Sequence, residues 1–283
     1  MLLLDGKRLA ILKTQELQAR ISKLYYQPIC HIIQVGNLFE SNKYIRNKMA
    51  KAQELGIAIT LAQFADPTIS EAALISHIHT KLQTSSRRSH LGIIVQLPLP
   101  EHISKQRVLD AIASECDIDG LSQANMDNFY KNQPAMIPAT ARAVLMLLQA
   151  YKINLVNQRI VVVGESNLVG RPTKHLLSRY TPFISSRNRA SGLHGCEQAD
   201  VLVVAAGSPH LIQPEHVKRG ATVVDVGINT LDNHKVVGDV DFAALQNHAG
   251  ALSPTPGGVG PLTVISLFEN LIEKCERAER LEF

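Results

Sequence analysis

The chain has 283 residues, a length that suggests two domains, and its 45% hydrophobic and 19% charged content is that of an ordinary globular protein. The formal charge of +4 comes with no dense Lys/Arg block and no Trp, so a nucleic-acid surface is not indicated. No apolar run reaches the ~20 residues that span a bilayer. Met1-Leu2-Leu3-Leu4 is too short for a secretory segment, and Cys30, Cys116, Cys196 and Cys275 form no C-x-x-C pair; together these features predict reduced thiols in a cytoplasmic protein.

Apolar positions Leu9, Leu12, Leu17, Ile21 and Leu24 predict an amphipathic helix over 7–25. A strand follows at Ile29 to Val35, closed by Gly36. Residues 40–55 read as a helix with Ile45, Met49, Ala52 and Leu55 on its core stripe. Further elements are a strand over 57–64, a helix from Ser70-Glu71 to Leu82, a strand over 91–97 stopped by Pro98 and Pro100, and a helix near 105–113. This alternation implies a parallel sheet covered by helices. Residues 114–138 are polar and read as an inter-domain connection.

A second α/β series begins near Ile153, after a helix over 141–151. It has strands at 159–163, 183–186, 201–206 and 222–226, a Gly/Pro loop at 254–261 and a last helix from Leu262 to about Ala278. Within it, Ile160 to Val163 end in a glycine turn, Gly164-Glu165-Ser166-Asn167-Leu168-Val169-Gly170, which opens a helix. Unpaired N–H groups and the positive end of a helix make such a turn an anion pocket, and in a βαβ setting the anion is a dinucleotide pyrophosphate. The spacing departs from G-x-G-x-x-G: Gly164, Ser166 and Gly170 stand at the first, third and seventh positions. No acid lies about twenty residues downstream; Arg187 and Arg189 stand there instead and point to a 2′-phosphate or to a solvated basic loop. Glu165 pulls the other way, because it repels a phosphate.

Ser41, Tyr44 and Lys48 fall at i, i+3 and i+7 on one helical stripe. A desolvated lysine there acts as a base; an exposed polar face is the plainer alternative. Gln96 ends a strand at the edge where ligands bind, or simply terminates it. Asp117 and Asp119 lack the spacing of a metal site and suit hydrogen bonding to a ligand amide better. The eleven histidines give no metal pattern, so no metal is expected.

Taken in order, the segments Leu4-Asp5-Gly6-Lys7, Val35-Gly36, Ser41-x-x-Tyr44-x-x-x-Lys48 and VQLPLP (95–100) resemble the bifunctional methylenetetrahydrofolate dehydrogenase/cyclohydrolase family. So do Asp117-Ile118-Asp119-Gly120, Gly164-x-Ser166-x-x-Val169-Gly170-x-Pro172, Asp225-Val226-Gly227-Ile228-Asn229, Gly238-Asp239-Val240 and PGGVGP (256–261). The resemblance covers nearly the whole chain. It implies an N-terminal folate domain (1–122), to which a C-terminal helix (262–283) returns, and a Rossmann-like NAD(P)-binding domain (140–261) across a cleft.

It also implies roles. Lys48 would manage protons in the hydrolytic step, with Tyr44 stacking on folate and Gln96 tuning the lysine. Ser41, Asp119, Gly257, Gly258 and Pro261 would contact the substrate. Gly164, Glu165, Ser166, Asn167, Val169, Gly170, Arg187, Arg189, Ala206, Gly207 and Ile228 would contact the cofactor, expected to be NADP with NAD still open. The expected partners are tetrahydrofolate derivatives and a second copy of the chain.

Some positions depart from the family pattern. Cys116 replaces Lys, and Ala139, Ala141 and Ala143 replace Cys, Pro and Gly. Asp127-Asn128-Phe129 replaces a Gly-basic-Leu segment, Glu40 a small residue and Ser253 a Thr. These bear on the rate and on the balance of activities more than on the reaction. They also leave two rivals: a monofunctional dehydrogenase and a non-catalytic binding paralogue.

Overall fold

The computed structural model describes residues 1–232 and 235–282; Asn233, His234, Phe283 and the side chain of Glu40 lie outside the described residues. In chain order the elements are β1 (Leu2–Leu3), α1 (Gly6–Ile21), β2 (Ile29–Val35), α2 (Phe39–Leu55), β3 (Ala58–Phe64), α3 (Glu71–Thr84), β4 (Leu91–Val95), α4 (Lys105–Asp110), α5 (Gln123–Tyr130) and α6 (Ala139–Ala150). There follow β5 (Ile160–Val163), α7 (Gly170–Leu177), β6 (Ile184–Arg187), β7 (Val201–Val204), β8 (Thr222–Asp225), β9 (Asn229–Thr230), β10 (Val236–Val237), α8 (Phe242–Leu245), β11 (Ala251–Leu252) and α9 (Val259–Glu282). They form two compact units: residues 13–139 with 264–282, and residues 1–12 with 140–263.

The first unit holds a parallel sheet of order β3-β2-β4. Its core joins Ile33, Leu74, Ile78, Ile93, Val108 and Cys116. Ser70 caps α3 by accepting from the Ala73 N–H at 3.2 Å. Gly56, at φ 78°, closes α2 in the left-handed region that a side chain disfavours.

Two readings need correction here. Leu12 is exposed, while Leu9 and Leu17 are buried as expected and are joined on the stripe of α1 by Ala10 and Thr14. Thr14 had no place on an apolar count, yet its hydroxyl accepts from Lys51 Nζ at 3.0 Å. Residues 114–138 are part of this unit's body rather than a connection. They contain α5, which buries Asn125, Met126 and Phe129. Their polar composition misleads because the polar groups bond one another: Asn125 Nδ2 donates to Ser114 O at 2.8 Å and to Asp117 Oδ2 at 3.1 Å, and its Oδ1 accepts from Met136 N at 3.1 Å.

The second unit is built on a six-stranded sheet of order β1-β11-β8-β7-β5-β6, every neighbouring pair parallel. Continuous apolar runs such as Ile160–Val163 and Val201–Val204 are buried, as strands covered on both faces must be. From β5 the chain first adds β6 on one side and then β7, β8 and β11 on the other. The order therefore reverses between β5 and β7. In doubly wound sheets the ligand crevice opens at such a reversal, beyond the strand C-termini. The two-residue β1 completes this sheet, a role too short to show as sequence periodicity. No helix among the described residues is long and apolar enough to cross a membrane.

Candidate active site

In the first unit, α2 carries Ser41, Tyr44 and Lys48, with Ser41 buried and the other two half-buried. Lys48 Nζ donates to Gln96 Oε1 at 2.9 Å. Gln96 follows β4, and its Nε2 donates to the carbonyl of Leu97 at 2.6 Å, which turns the amide oxygen toward the lysine. Burial lowers the Lys48 pKa, while the nearby Asp119 carboxylate raises it. Burial in turn pushes Asp119 up to about 6, against the pull of Lys48 and with a smaller push from Asp117. The two groups thus approach each other in proton affinity, as paired acids and bases at reactive sites do. Cys30, which interacts electrostatically with Lys48, is a buried thiol pushed up to about 12 by desolvation and stays protonated.

Asp117 shapes the turn that presents Asp119. Its Oδ1 accepts from Gly120 N at 3.0 Å and its Oδ2 from Ser122 N at 2.7 Å. Gly120 sits at φ 75°, where a Cβ would also press on Met136 O at 3.0 Å. The main chain of Asp119 is held by Ala139, whose N–H donates to Asp119 O at 3.2 Å.

Two residues of α9, which sequence reasoning passed over, support the same turn. Asn270 Nδ2 donates to Ile118 O and to Ile137 O, both at 2.8 Å. Lys274 Nζ donates to Arg88 O at 2.8 Å, Leu91 O at 2.6 Å and Cys116 Sγ at 3.3 Å. Cys116, the replacement for a lysine, thus meets a lysine arriving from elsewhere. Positions 270 and 274 stand among the charged Glu269, Glu273 and Glu276 of the same helix, so the sequence carried no separate signal for them. Among the described residues no group of three His, Cys, Asp or Glu side chains is placed to hold a metal ion.

In the second unit the glycine turn lies at the end of β5, beside β7. A Cβ on Gly164, which has φ 108°, would come within 2.1 Å of Ala205 O, and one on Gly170 within 1.9 Å of Gly164 O. The turn is therefore glycine-only at both ends, and it brings main chain to the surface of the crevice. Ser166 Oγ accepts from Val169 N at 3.2 Å and Gly170 N at 3.4 Å, so its role here is to fold the turn. Asn167 Oδ1 accepts from Arg171 Nη1 at 3.1 Å. The cradle left by the two glycines and the start of α7 fit a dinucleotide pyrophosphate.

Across the reversal, Ala206, Gly207 and Ser208 give their N–H groups to Asp239, at 2.6, 2.9 and 2.9 Å, and Asn229 Nδ2 joins them at 2.8 Å. Asp225 collects Gly227 N, Asp239 N and Val240 N in the same way, and burial pushes it up to about 7 against those bonds. A Cβ on Gly238 would come within 1.6 Å of Asp225 Oδ2 and one on Gly227 within 2.2 Å of the Asp239 carboxyl carbon. The segments 225–229 and 238–240 are thus one wired loop pair. Ser253, standing for a Thr, keeps the hydroxyl that Asp225 N donates to at 2.8 Å.

The Gly/Pro loop packs on the start of α1. Lys7 N donates to Gly257 O at 3.0 Å, and a Cβ on Gly6 would come within 1.7 Å of Gly258 O. The segments around Gly6 and Gly257, some 250 residues apart, are therefore two sides of one contact. Pro261 opens α9 beside Gly260, and Ile228 is exposed near it, 4.0 Å from a Cβ built on Gly260. Arg187 is turned away from the turn: Nε donates to His194 O at 2.6 Å and Nη1 to Ser186 O at 2.8 Å. Arg189 is exposed in the following loop.

Residues 4–119 match the family model described as tetrahydrofolate dehydrogenase/cyclohydrolase, catalytic domain, and residues 138–279 match its NAD(P)-binding domain. The chain is 45% identical over 280 residues to the bifunctional protein FolD of Mycoplasma mobile, covering 98% of each. It is similar to the crystal structure of the bifunctional FolD dehydrogenase/cyclohydrolase of Campylobacter jejuni, with TM-score 0.91, 34% identity and coverage of 98% of this chain and 99% of that one. A Trypanosoma brucei dehydrogenase-cyclohydrolase, solved with NADP and an inhibitor, superposes with TM-score 0.90 at 30% identity, covering 98% and 97%. With both halves of the reading matched along nearly the whole chain, the protein belongs to the tetrahydrofolate dehydrogenase/cyclohydrolase family.

Proposed function

We propose that the protein oxidises 5,10-methylenetetrahydrofolate to the 5,10-methenyl cation and hydrolyses that cation to 10-formyltetrahydrofolate. The observation that carries this reading is the 2.9 Å bond from Lys48 Nζ to Gln96 Oε1, beside a carboxylate whose pKa is raised to about 6. Folate chemistry falls to the unit of residues 13–139 and 264–282, and cofactor binding to the unit of 1–12 and 140–263. A nicotinamide dinucleotide supplies the hydride acceptor, and the NADP-bound Trypanosoma brucei relative supports a site that admits NADP.

The residues act as follows. Asp119 accepts hydrogen bonds from the pterin ring, and Tyr44 lies along the folate aromatic system. Burial lowers the pKa of Lys48, so it gives up its proton more readily beside the cationic methenyl group, where a second full positive charge is costly. The neutral amine takes a proton from the attacking water, and the ammonium then returns one as the ring opens. Gln96, held by Leu97 O, keeps the amine on line. The Gly164–Gly170 turn receives the cofactor phosphates. The rigid wiring of Ala206 and Gly207 by Asp239 shapes the crevice wall.

The chain acts as a homodimer in the cytoplasm, which light scattering and cell fractionation test. A spectrophotometric assay with 5,10-methylenetetrahydrofolate tests the chemistry, run with NADP and with NAD. Reduced cofactor accumulates while the methenyl absorbance stays low. Methenyl build-up at the uncatalysed hydrolysis rate would leave a monofunctional dehydrogenase, and saturable folate binding without turnover would leave a binding paralogue.

A further inference from the structure

We infer that Glu165 is the residue that sets cofactor choice, and that it makes NAD a better cofactor than NADP for this chain. The inference rests on the proposed dinucleotide site at the Gly164 turn.

Glu165 leaves the end of β5, yet its carboxylate lies at the end of β6. Ser186 Oγ donates to Oε1 at 2.5 Å and Asn188 Nδ2 to Oε2 at 2.6 Å. In a βαβ dinucleotide site, the end of the second strand is where the adenosine ribose is read: an acid there takes the 2′-hydroxyl of NAD, and an arginine takes the 2′-phosphate of NADP. The expected acid was missing from positions about twenty residues downstream. The fold delivers one from within the turn instead. The two arginines of that region do not replace it: Arg187 gives Nε to His194 O and Nη1 to Ser186 O, with Nη2 packed where Gly195 has no side chain, and Arg189 is exposed in the loop beyond.

The cations that face Glu165 come from α7. Lys174 Nζ donates to Ser186 Oγ at 3.2 Å. The Ser186 and Asn188 bonds, then Lys174 and Arg171, hold the Glu165 carboxyl below its usual pKa, so it is ionised at neutral pH. An ionised carboxylate accepts from ribose hydroxyls. Toward a 2′-phosphate of charge about −1.5 to −2 it is repulsive, and it already occupies Ser186 and Asn188, the donors such a phosphate needs. Lys174 and Arg171 weaken that repulsion, so NADP is disfavoured rather than excluded.

The test is calorimetric titration of the full chain with NADH and NADPH, without folate, on wild type, Glu165→Gln and Glu165→Ser. The wild type binds NADH the more tightly, and either variant moves the NADH:NADPH affinity ratio toward NADPH by about tenfold, the scale of one charge-assisted contact. Adenosine 2′,5′-bisphosphate gains affinity in the variants in parallel. Wild-type preference for NADPH, or a ratio moved by less than threefold in every variant that melts cooperatively, overturns the assignment while leaving the proposed reaction standing. Binding of neither cofactor overturns both. NADH preference without folate oxidation spares this inference and sinks the proposed reaction.

Discussion

The two units put ionisable groups to opposite uses. Around Lys48 the fold exists to adjust a charge: burial lowers the lysine, raises Asp119 to about 6, and Gln96 is pinned so that one amine has one acceptor. Around the β5–β7 reversal, charge exists to hold a shape: Asp225 and Asp239 gather main-chain N–H groups from three loops, and glycines clear the way for them. The comparison teaches where tolerance lies. In the first unit a neutral substitute of the same size removes the chemistry and leaves the fold. In the second it removes the loop geometry and, through it, binding.

The strongest way to break the comparison is Lys48→Met. Hydrolysis of the methenyl compound falls by at least ~100-fold, the usual reach of acid–base catalysis, while folate binding and thermal stability stay near wild type. Normal hydrolysis would remove Lys48 from the reaction. In the other unit, Gly170→Ala forces a methyl group within 1.9 Å of Gly164 O. The turn must open, at a cost of about 1–3 kcal/mol, and dinucleotide affinity drops steeply while methenyl hydrolysis, measured separately, persists. Loss of both activities together would show that the units do not divide the work.

A smaller effect is expected from Asp239→Asn. It replaces an acceptor of four hydrogen bonds with an amide that offers its own hydrogens to N–H groups. Stability in urea falls by about 2 kcal/mol, with cofactor affinity reduced and the Lys48 site unaffected.

The mildest and most diagnostic effect is a pH slope. Asp225 has a folded pKa of about 7 against an ordinary 3.8. The folded state therefore holds its proton more tightly than the unfolded chain does. That contribution is full below 3.8 and is lost as pH rises toward 7. Asp225→Asn does not titrate, so its melting temperature declines less steeply than the wild type's between pH 5 and 7, whatever its baseline. Parallel curves would show that Asp225 is ionised throughout.

Much of the fold was legible because its signals are local. The apolar runs of β2, β4, β5, β7 and β8, the alternation with helices and the glycine-ended turn all depend on neighbours in the chain. Lys48, Tyr44 and Ser41 were legible as one stripe because helical spacing is a local property. Less was legible where the outcome turns on which way a side chain points and what it bonds. Residues 114–138 looked like a linker because Asn125 and Asp117 are polar, and only their mutual bonds make them interior. Arg187 read as a phosphate ligand or as part of a solvated basic loop because basic character is visible and direction is not; its side chain donates to the carbonyls of Ser186 and His194. Lys274 and Asn270 went unnoticed because their acceptors lie more than a hundred residues away.

The sequence by itself determined the class of fold, the glycine turn and, through its matching segments, the family. Residue type and short-range spacing suffice for those, since backbone sterics and side-chain periodicity act over a few residues. The tertiary structure decided what each charge does. It set Lys48 against Gln96 and Asp119, assigned Asp225 and Asp239 to loop geometry, and swung Glu165 across the turn to Ser186 and Asn188. Desolvation and hydrogen-bond partnership decide those outcomes, and both are properties of neighbours that only folding brings together.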